Sequence, residues 1–310
     1  MIKYAIALFL AAVLATPAAA QTSFYSLRAQ ANASYDAKKY QEAGKRWEQA
    51  LRVRGAQPTS ADYYNAACNW ALAGDATKAF AKLDQAIGAG YENKAHLLED
   101  EDLVSLHADS RWQPMLGRLD AAITRAEAHQ NKALKTELAE IRESDQRARR
   151  QADDLERRLG PKAPGLDSLW KQMARADDRN LPRVTAMIDR HGWPGKSLVS
   201  REGSTTAFLV IQHSNLATMQ KYLPLMRQAT AKGELDKSVL ALLEDRVLTF
   251  QGKPQIYGSQ LRGNATTGKP EFDPIIDEAH VDERRATMGL GPIAEYAKGF
   301  GVEYIPAKKP

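Results

Sequence analysis

Residues 40–51 read YQEAGKRWEQAL, and residues 76–87 read ATKAFAKLDQAI. Ala43, Trp47, Ala50 and Leu51 of the first segment become Ala79, Leu83, Ala86 and Ile87 of the second, at a constant offset of 36 residues. Steps of three and four residues put each set on one face of an α-helix. A second helical pattern precedes each copy. Leu27, Ala31 and Tyr35 lead into the first, and the alanine-rich run YYNAACNWALAG at 63–74 leads into the second. Turns fall at Lys38-Lys39 and at Gly74-Asp75. Two helix pairs in phase predict a mainly α chain.

The remaining composition fits that class. The chain has 310 residues, enough for two modest domains and a linker, with 44% hydrophobic and 26% charged residues. Its net charge of +5 comes from 43 basic and 38 acidic residues. No basic stripe is interleaved with aromatics, so no nucleic-acid partner is expected. The one cysteine, Cys68, rules out an internal disulfide and, by count, thiolate metal sites. Its alanine-rich setting reads as a small buried hydrophobe.

Residues 1–20 have the anatomy of a secretory signal peptide. Lys3 is the positive end, Ala5 to Leu14 is apolar, and Ala18-Ala19-Ala20 gives a small-residue cleavage site. The apolar run falls short of the about 20 residues that a spanning helix needs. No cysteine follows the cleavage site, and no later run is long enough to cross a membrane. The expected location is therefore the bacterial periplasm or the exterior, as a soluble protein.

The paired helices resemble the tetratricopeptide repeat, whose period is about 34 residues. Tyr63, Tyr64, Asn65, Trp70, Gly74, Asp75 and Ala79 fall on its pattern in the second copy. The segment after Gly90-Tyr91 is similar to the cap that closes short repeat arrays, through Glu101, Asp102, Leu103, Leu106, Asp109, Arg111 and Trp112. The resemblance implies a repeat domain over 21–117 that binds a protein or peptide in a groove. The alternative is a small helical domain that packs on the rest of the chain. His96 and His107 read as surface or cap residues.

From Arg118 to Leu159 the chain has no Gly or Pro, which predicts one long charged helix, with 118–165 as linker. Leu134, Leu138, Ile141, Asp145, Ala148, Ala152 and Leu155 form its seam, after a stutter between Gln130 and Leu134. A two-stranded coiled coil, hence a homodimer, and a solvated spacer both fit. Gln130, Asp145 and the alanines weaken the seam and favour the spacer. The segment from Gly160 to Gly165 ends the helix.

Residues 166–310 predict a helical domain with a small β-hairpin. Asp167 opens a helix that DDRNL at 177–181 breaks, Pro182 starts the next, and His191-Gly192-Trp193-Pro194-Gly195 forces a turn. Further helices run from Ser204 to Ser214, from Leu216 to Lys232 and from Lys237 to Gln251. Extended runs flank the loop GNATTGK, residues 263–269, and two short helices close the chain at 282–288 and 292–298.

This block resembles a family of bacterial domains of unknown function over about Leu166 to Lys298. The resemblance rests on Asp177/Asp178 with Asn180, Trp193-Pro194, Gln212-His213, Asp245-Arg246-Val247, Gln255, Tyr257-Gly258 and Gln260, and on Glu283 through Tyr296. Ser259 departs from the Thr expected there but keeps the hydroxyl. The family implies a fold and candidate residues, not an activity.

Arg246 shares a helical face with Leu242 and Leu243, and a buried cation needs a partner: Asp178, Asp245 or a bound anion. His213 ends an apolar helix and titrates in the range of acid–base work. Gln212, Gln255, Gln260 and Asn180 could orient a ligand that Tyr257 and Trp193 wall, or those two could be core. No zinc-protease spacing, nucleophile elbow or Walker loop occurs, and no metal or cofactor is expected. Two functions follow as expectations. One is an adaptor whose repeats bind a protein and whose C-terminal domain binds a small ligand. The other is a hydrolase or transferase with His213 as acid/base and Arg246 as anion or carbonyl anchor.

Overall fold

The computed structural model describes residues 17–160, 162–264 and 269–305. The signal-peptide expectation therefore lies outside the described residues except at 17–20, which begin the first helix. The fold is mainly α, with one two-stranded antiparallel sheet.

The N-terminal part is built from α1 (Pro17–Asp36) with α2 (Tyr40–Leu51), and α3 (Ser60–Leu72) with α4 (Ala76–Gly88). The residues that share the 36-residue offset do the packing: Ala43, Trp47 and Ala50 are buried, as are Ala79, Leu83 and Ala86. Caps set the start of the second pair. Thr59 and Asp62 form a reciprocal capping box on α3, and Asp75 accepts from Lys78 N at the start of α4. Gly44 of α2 lies against Trp70 of α3, where a Cβ would come within 2.8 Å of the indole. The pairs are closed by α5 (Lys94–Glu99), a 3₁₀ turn (Glu101–Leu106) and α6 (Trp112–Glu127). Leu103, Leu106 and Trp112 are buried there. Arg111 is paired with Asp109 at 2.7 Å and lies over the Phe80 ring at 4.6 Å.

The single helix predicted from Arg118 to Leu159 is two helices. The chain leaves α6 after Glu127 and starts α7 (Lys132–Leu159) at Asn131, whose side chain accepts from Leu134 N at 3.1 Å. The stutter is the site of the break. Nor is α7 a solvated spacer. Leu138 and Ile141 belong to one core with Val184, Ile188, Val199, Ala207, Ile211 and Leu243. The seam predicted for a coiled coil is thus buried inside the chain, against α8 (Leu166–His191) and α9 (Lys196–Gln212).

The break predicted at DDRNL is also absent: α8 runs through it with Pro182 in its interior. Proline there gives up one backbone hydrogen bond. Burial of Ala176, Asn180, Val184, Met187 and Ile188 along one face holds the helix together across it. The start predicted at Ser204 comes earlier. Ser200, at φ +73°, interrupts α9, and its Oγ accepts from Gly203 N at 3.3 Å, so the longer part begins at residue 201. Next come α10 (Leu216–Ala231), capped by Asn215, and α11 (Lys237–Phe250). The predicted hairpin is β1 (Leu261–Gly263) paired with β2 (Pro270–Phe272), Leu261 opposite Phe272. The chain ends with α12 (Val281–Thr287) and α13 (Ile293–Lys298). Helix α12 packs on α1 and so ties the first helix pair to the C-terminal part. Among the described residues no helix is long and apolar enough to cross a membrane.

Candidate functional site

Four helices bring titratable side chains together. From α7 come Asp145 and Arg149, from α8 Asp177, from the end of α9 His213, and from α11 Arg246. Asp145 is only 1% exposed, and its Oδ1 lies 3.3 Å from His213 Nδ1. Its Oδ2 accepts from Gln146 Nε2 at 2.6 Å and lies 3.5 Å from Arg149 Nε. Arg149 also donates through Nη2 to Asp177. Burial alone would raise the Asp145 carboxyl; His213, Gln146 and Arg149 outweigh it and hold the group below its ordinary value.

Arg246 stands beside this network. Its Nε donates to Gln260 Oε1 and its Nη1 to the carbonyl of Gln212, both at 3.0 Å. Neither of the aspartates predicted for it is its partner: both acceptors are neutral amide oxygens. Burial lowers its pKa, and the nearby Arg149 charge adds to that, against Tyr296. The guanidinium keeps a positive charge that nothing described neutralises by direct contact.

The arrangement suits proton transfer. A carboxylate on Nδ1 fixes the imidazole and leaves Nε2 as the nitrogen that can take or give a proton. The His213 side chain keeps 17% of its surface exposed. Asp145, Asp177 and His213 also offer three metal-ligand atoms within 4.8 Å of one another. Arg149 already supplies the positive charge at both carboxylates, so the set works as an ion-pair network rather than a cation site.

The other predicted site residues divide. Asp178 points to solvent, and its neighbour Asp177 takes the inward position. Asn180 is buried; its Oδ1 accepts from Ser144 Oγ at 2.9 Å, while Nδ2 has no partner. Gln212 contributes its backbone carbonyl. Trp193 donates to Ser204 Oγ at 3.1 Å, midway along α9 rather than at the end that carries His213. Asp245 accepts from Ile256 N, Tyr257 N and Ser259 N at 2.7, 3.0 and 3.0 Å. Burial raises its carboxyl despite those donors. Gln255 gives Nε2 to the carbonyls of Gln260 and Asp273 and accepts from Gln260 N. Asp245 and Gln255 therefore shape the 255–260 turn, with their polar atoms spent inside the protein. Tyr257 donates to Glu244 Oε2 at 3.3 Å; burial and Glu244 push its phenol up to about 12.

Sequence reasoning missed Asp145, Arg149 and Arg285. Asp145 was visible as an acid inside an apolar seam, which demands a partner rather than merely weakening the seam. Arg285 is 2% exposed and donates to the carbonyls of Tyr257, Gly258 and Gly291, with its guanidinium over the Tyr296 ring. It holds the turn that Asp245 holds from the other side. A cavity of about 410 Å³ opens away from this site, between the first helix pair and the C-terminal part, lined by Tyr25, Thr59, Arg201 and Lys237 among others.

No curated protein and no solved structure matches the chain. One protein family does, over residues 132–305, more than half of the sequence. That segment starts at the first residue of α7, so it takes in both Asp145 and His213. The chain belongs to this family, the family of unknown function DUF6624.

Proposed function

We propose that this is an exported binding protein whose C-terminal domain takes an anionic small ligand at Arg246, and whose tetratricopeptide-like helix pairs take a protein or peptide partner. The observation that carries the ligand reading is the set of Arg246 acceptors. A largely desolvated guanidinium that, among the described residues, is bonded only to Gln260 Oε1 and the Gln212 carbonyl holds charge in reserve for an anion. Carboxylate and phosphate ligands match its planar fork. The test is a thermal-shift screen of the full chain with carboxylates and phosphate esters, wild type against Arg246→Lys. A stabilising anion should lose most of its effect in the variant, each shift being measured from that protein's own unliganded melting temperature. An equal shift in both proteins would remove Arg246 from the site.

One observation favours a second reading, an acid–base enzyme acting on the same ligand. Asp145 orients His213 next to the Gln212 carbonyl that Arg246 holds. Under this reading His213→Gln keeps the anion-induced shift and abolishes turnover; loss of binding together with turnover would make His213 a ligand contact only.

A further inference from the structure

Helices α7 and α8 run antiparallel, and ion pairs link them across one exposed side. Arg183 of α8 donates through Nε to Glu137 Oε1 at 3.1 Å and through Nη2 to Glu140 Oε2 at 3.2 Å. Further along α7, four and seven residues after Glu140, stand Ser144 and Arg147. On α8, four and eight residues before Arg183, stand Arg179 and Arg175. Steps of four keep these three arginines of α8 on one face. The bases of the ladder therefore continue where its acids stop.

A groove of about 260 Å³ opens at that point. Ala148 and Ala176, both buried, are small enough to leave the gap, and Ser144, Arg147, Gln172, Arg175 and Arg179 complete its lining. Three guanidiniums thus surround one groove whose described lining contains no carboxylate. Arg147 gives Nε to Glu143 Oε1 at 3.0 Å, and Glu143 is shared with Arg150. Among the described residues neither Arg175 nor Arg179 has an acid partner. Like charges four residues apart on a helix repel, and an anion between them turns the repulsion into attraction. The polar chain that starts in the groove also ends on an unused donor. Ser144 Oγ donates to Asn180 Oδ1 at 2.9 Å, and Asn180, only 1% exposed, has no partner for Nδ2.

We propose that Arg147, Arg175 and Arg179 bind the terminal phosphate of a phosphomonoester in this groove. A carboxylate offers two oxygens and a single charge. A phosphomonoester offers three acceptor oxygens and a charge of about −1.5 to −2 at pH 7, which matches three planar forks. Arg147 keeps Nε on Glu143 and turns its terminal nitrogens to the phosphate. Pockets for drug-sized ligands run to about 300–1,000 Å³, so a groove of this volume suits a phosphate head group rather than a larger molecule. A soluble phosphoester and a lipid head group present the same chemistry there. The site is separate from Arg246, and its failure leaves the reading of Arg246 untouched.

The full chain is titrated calorimetrically with glycerol 3-phosphate at low salt. In a second arm it is sedimented with phosphatidylcholine vesicles with and without phosphatidic acid, which carries the same terminal phosphate. The expected result is saturable, phosphate-dependent binding in at least one arm, weakened at least fivefold by Arg175→Gln and by Arg179→Gln and retained in Arg246→Lys. Binding in the first arm assigns a soluble phosphoester, and binding in the second alone assigns a lipid head group. No binding in either arm, full-strength binding in either arginine variant of the groove, or binding lost in Arg246→Lys overturns the proposal. Arg175 and Arg179 are exposed, so both variants should fold, which circular dichroism checks. If one does not, Gln172→Glu decides: a carboxylate placed in the groove must weaken binding, and unchanged binding there also overturns the proposal.

Discussion

Asp145 Oδ1 lies 3.3 Å from His213 Nδ1, and that contact joins the middle of α7 to the end of α9 across 68 positions of sequence. A buried carboxylate satisfied by an imidazole, an amide and a guanidinium is a fixed point for all three neighbours. Leaving one member without its partner costs about 3–5 kcal/mol.

The first prediction concerns pH. The folded Asp145 carboxyl titrates below its unfolded value of about 4. Its contribution is therefore complete above that value and fades as pH falls through the folded one. Asp145→Asn should be less stable than wild type at pH 7 by about 3 kcal/mol, and should lose less on acidification below about pH 4. Urea denaturation across that range measures both. Parallel acid slopes for the two proteins would mean that Asp145 is not the group that titrates.

Asn131 decides whether α6 and α7 are one helix or two. As the N-cap of α7 it should cost about 1 kcal/mol when replaced by alanine. In a continuous helix the same change would stabilise, since alanine is the better helix former. The sign of the stability change separates the two cases.

Arg285 is expected to be structural. Arg285→Met leaves the carbonyls of Tyr257, Gly258 and Gly291 without their donor and removes the stack on Tyr296. A loss of about 2–4 kcal/mol should follow, with faster backbone amide exchange in the 255–260 turn. Unaltered exchange there would show that Asp245 holds the turn alone.

Gly44→Ala should destabilise by about 1–3 kcal/mol through overpacking on Trp70, unless the indole moves. Gly88→Ala, with no atom within 4 Å of the new methyl, is the control and should be neutral or slightly stabilising. Trp70 fluorescence should change in the first variant and not in the second.

Much of the helical layout was legible from side-chain periodicity. The 36-residue offset, the turns at Lys38 and Gly74, the α10 and α11 boundaries and the hairpin all follow from patterns spanning a few residues. The errors came where local signals conflicted with packing. At Gln130–Leu134 the lack of Gly and Pro suggested continuity, yet Asn131 caps a new helix. At DDRNLP the breaker signals were strong, yet a buried face carried α8 through. For the candidate site, His213 and Arg246 could be singled out by position, but their partners could not. Asp178 and Asp177 are adjacent and chemically identical, and only the rotation of α8 chooses between them.

The chain by itself determined that it would be helical, with a 36-residue offset between its first two helix pairs, and where most of its turns lie. Those properties depend on neighbours within about one helical turn. Tertiary structure alone decided that α7 belongs to the C-terminal core, that Asp145 meets His213, and that Arg246 meets amides instead of acids. Such pairings depend on how helices distant in sequence are rotated against one another, and a buried charge accepts whichever partner that packing brings within hydrogen-bond reach.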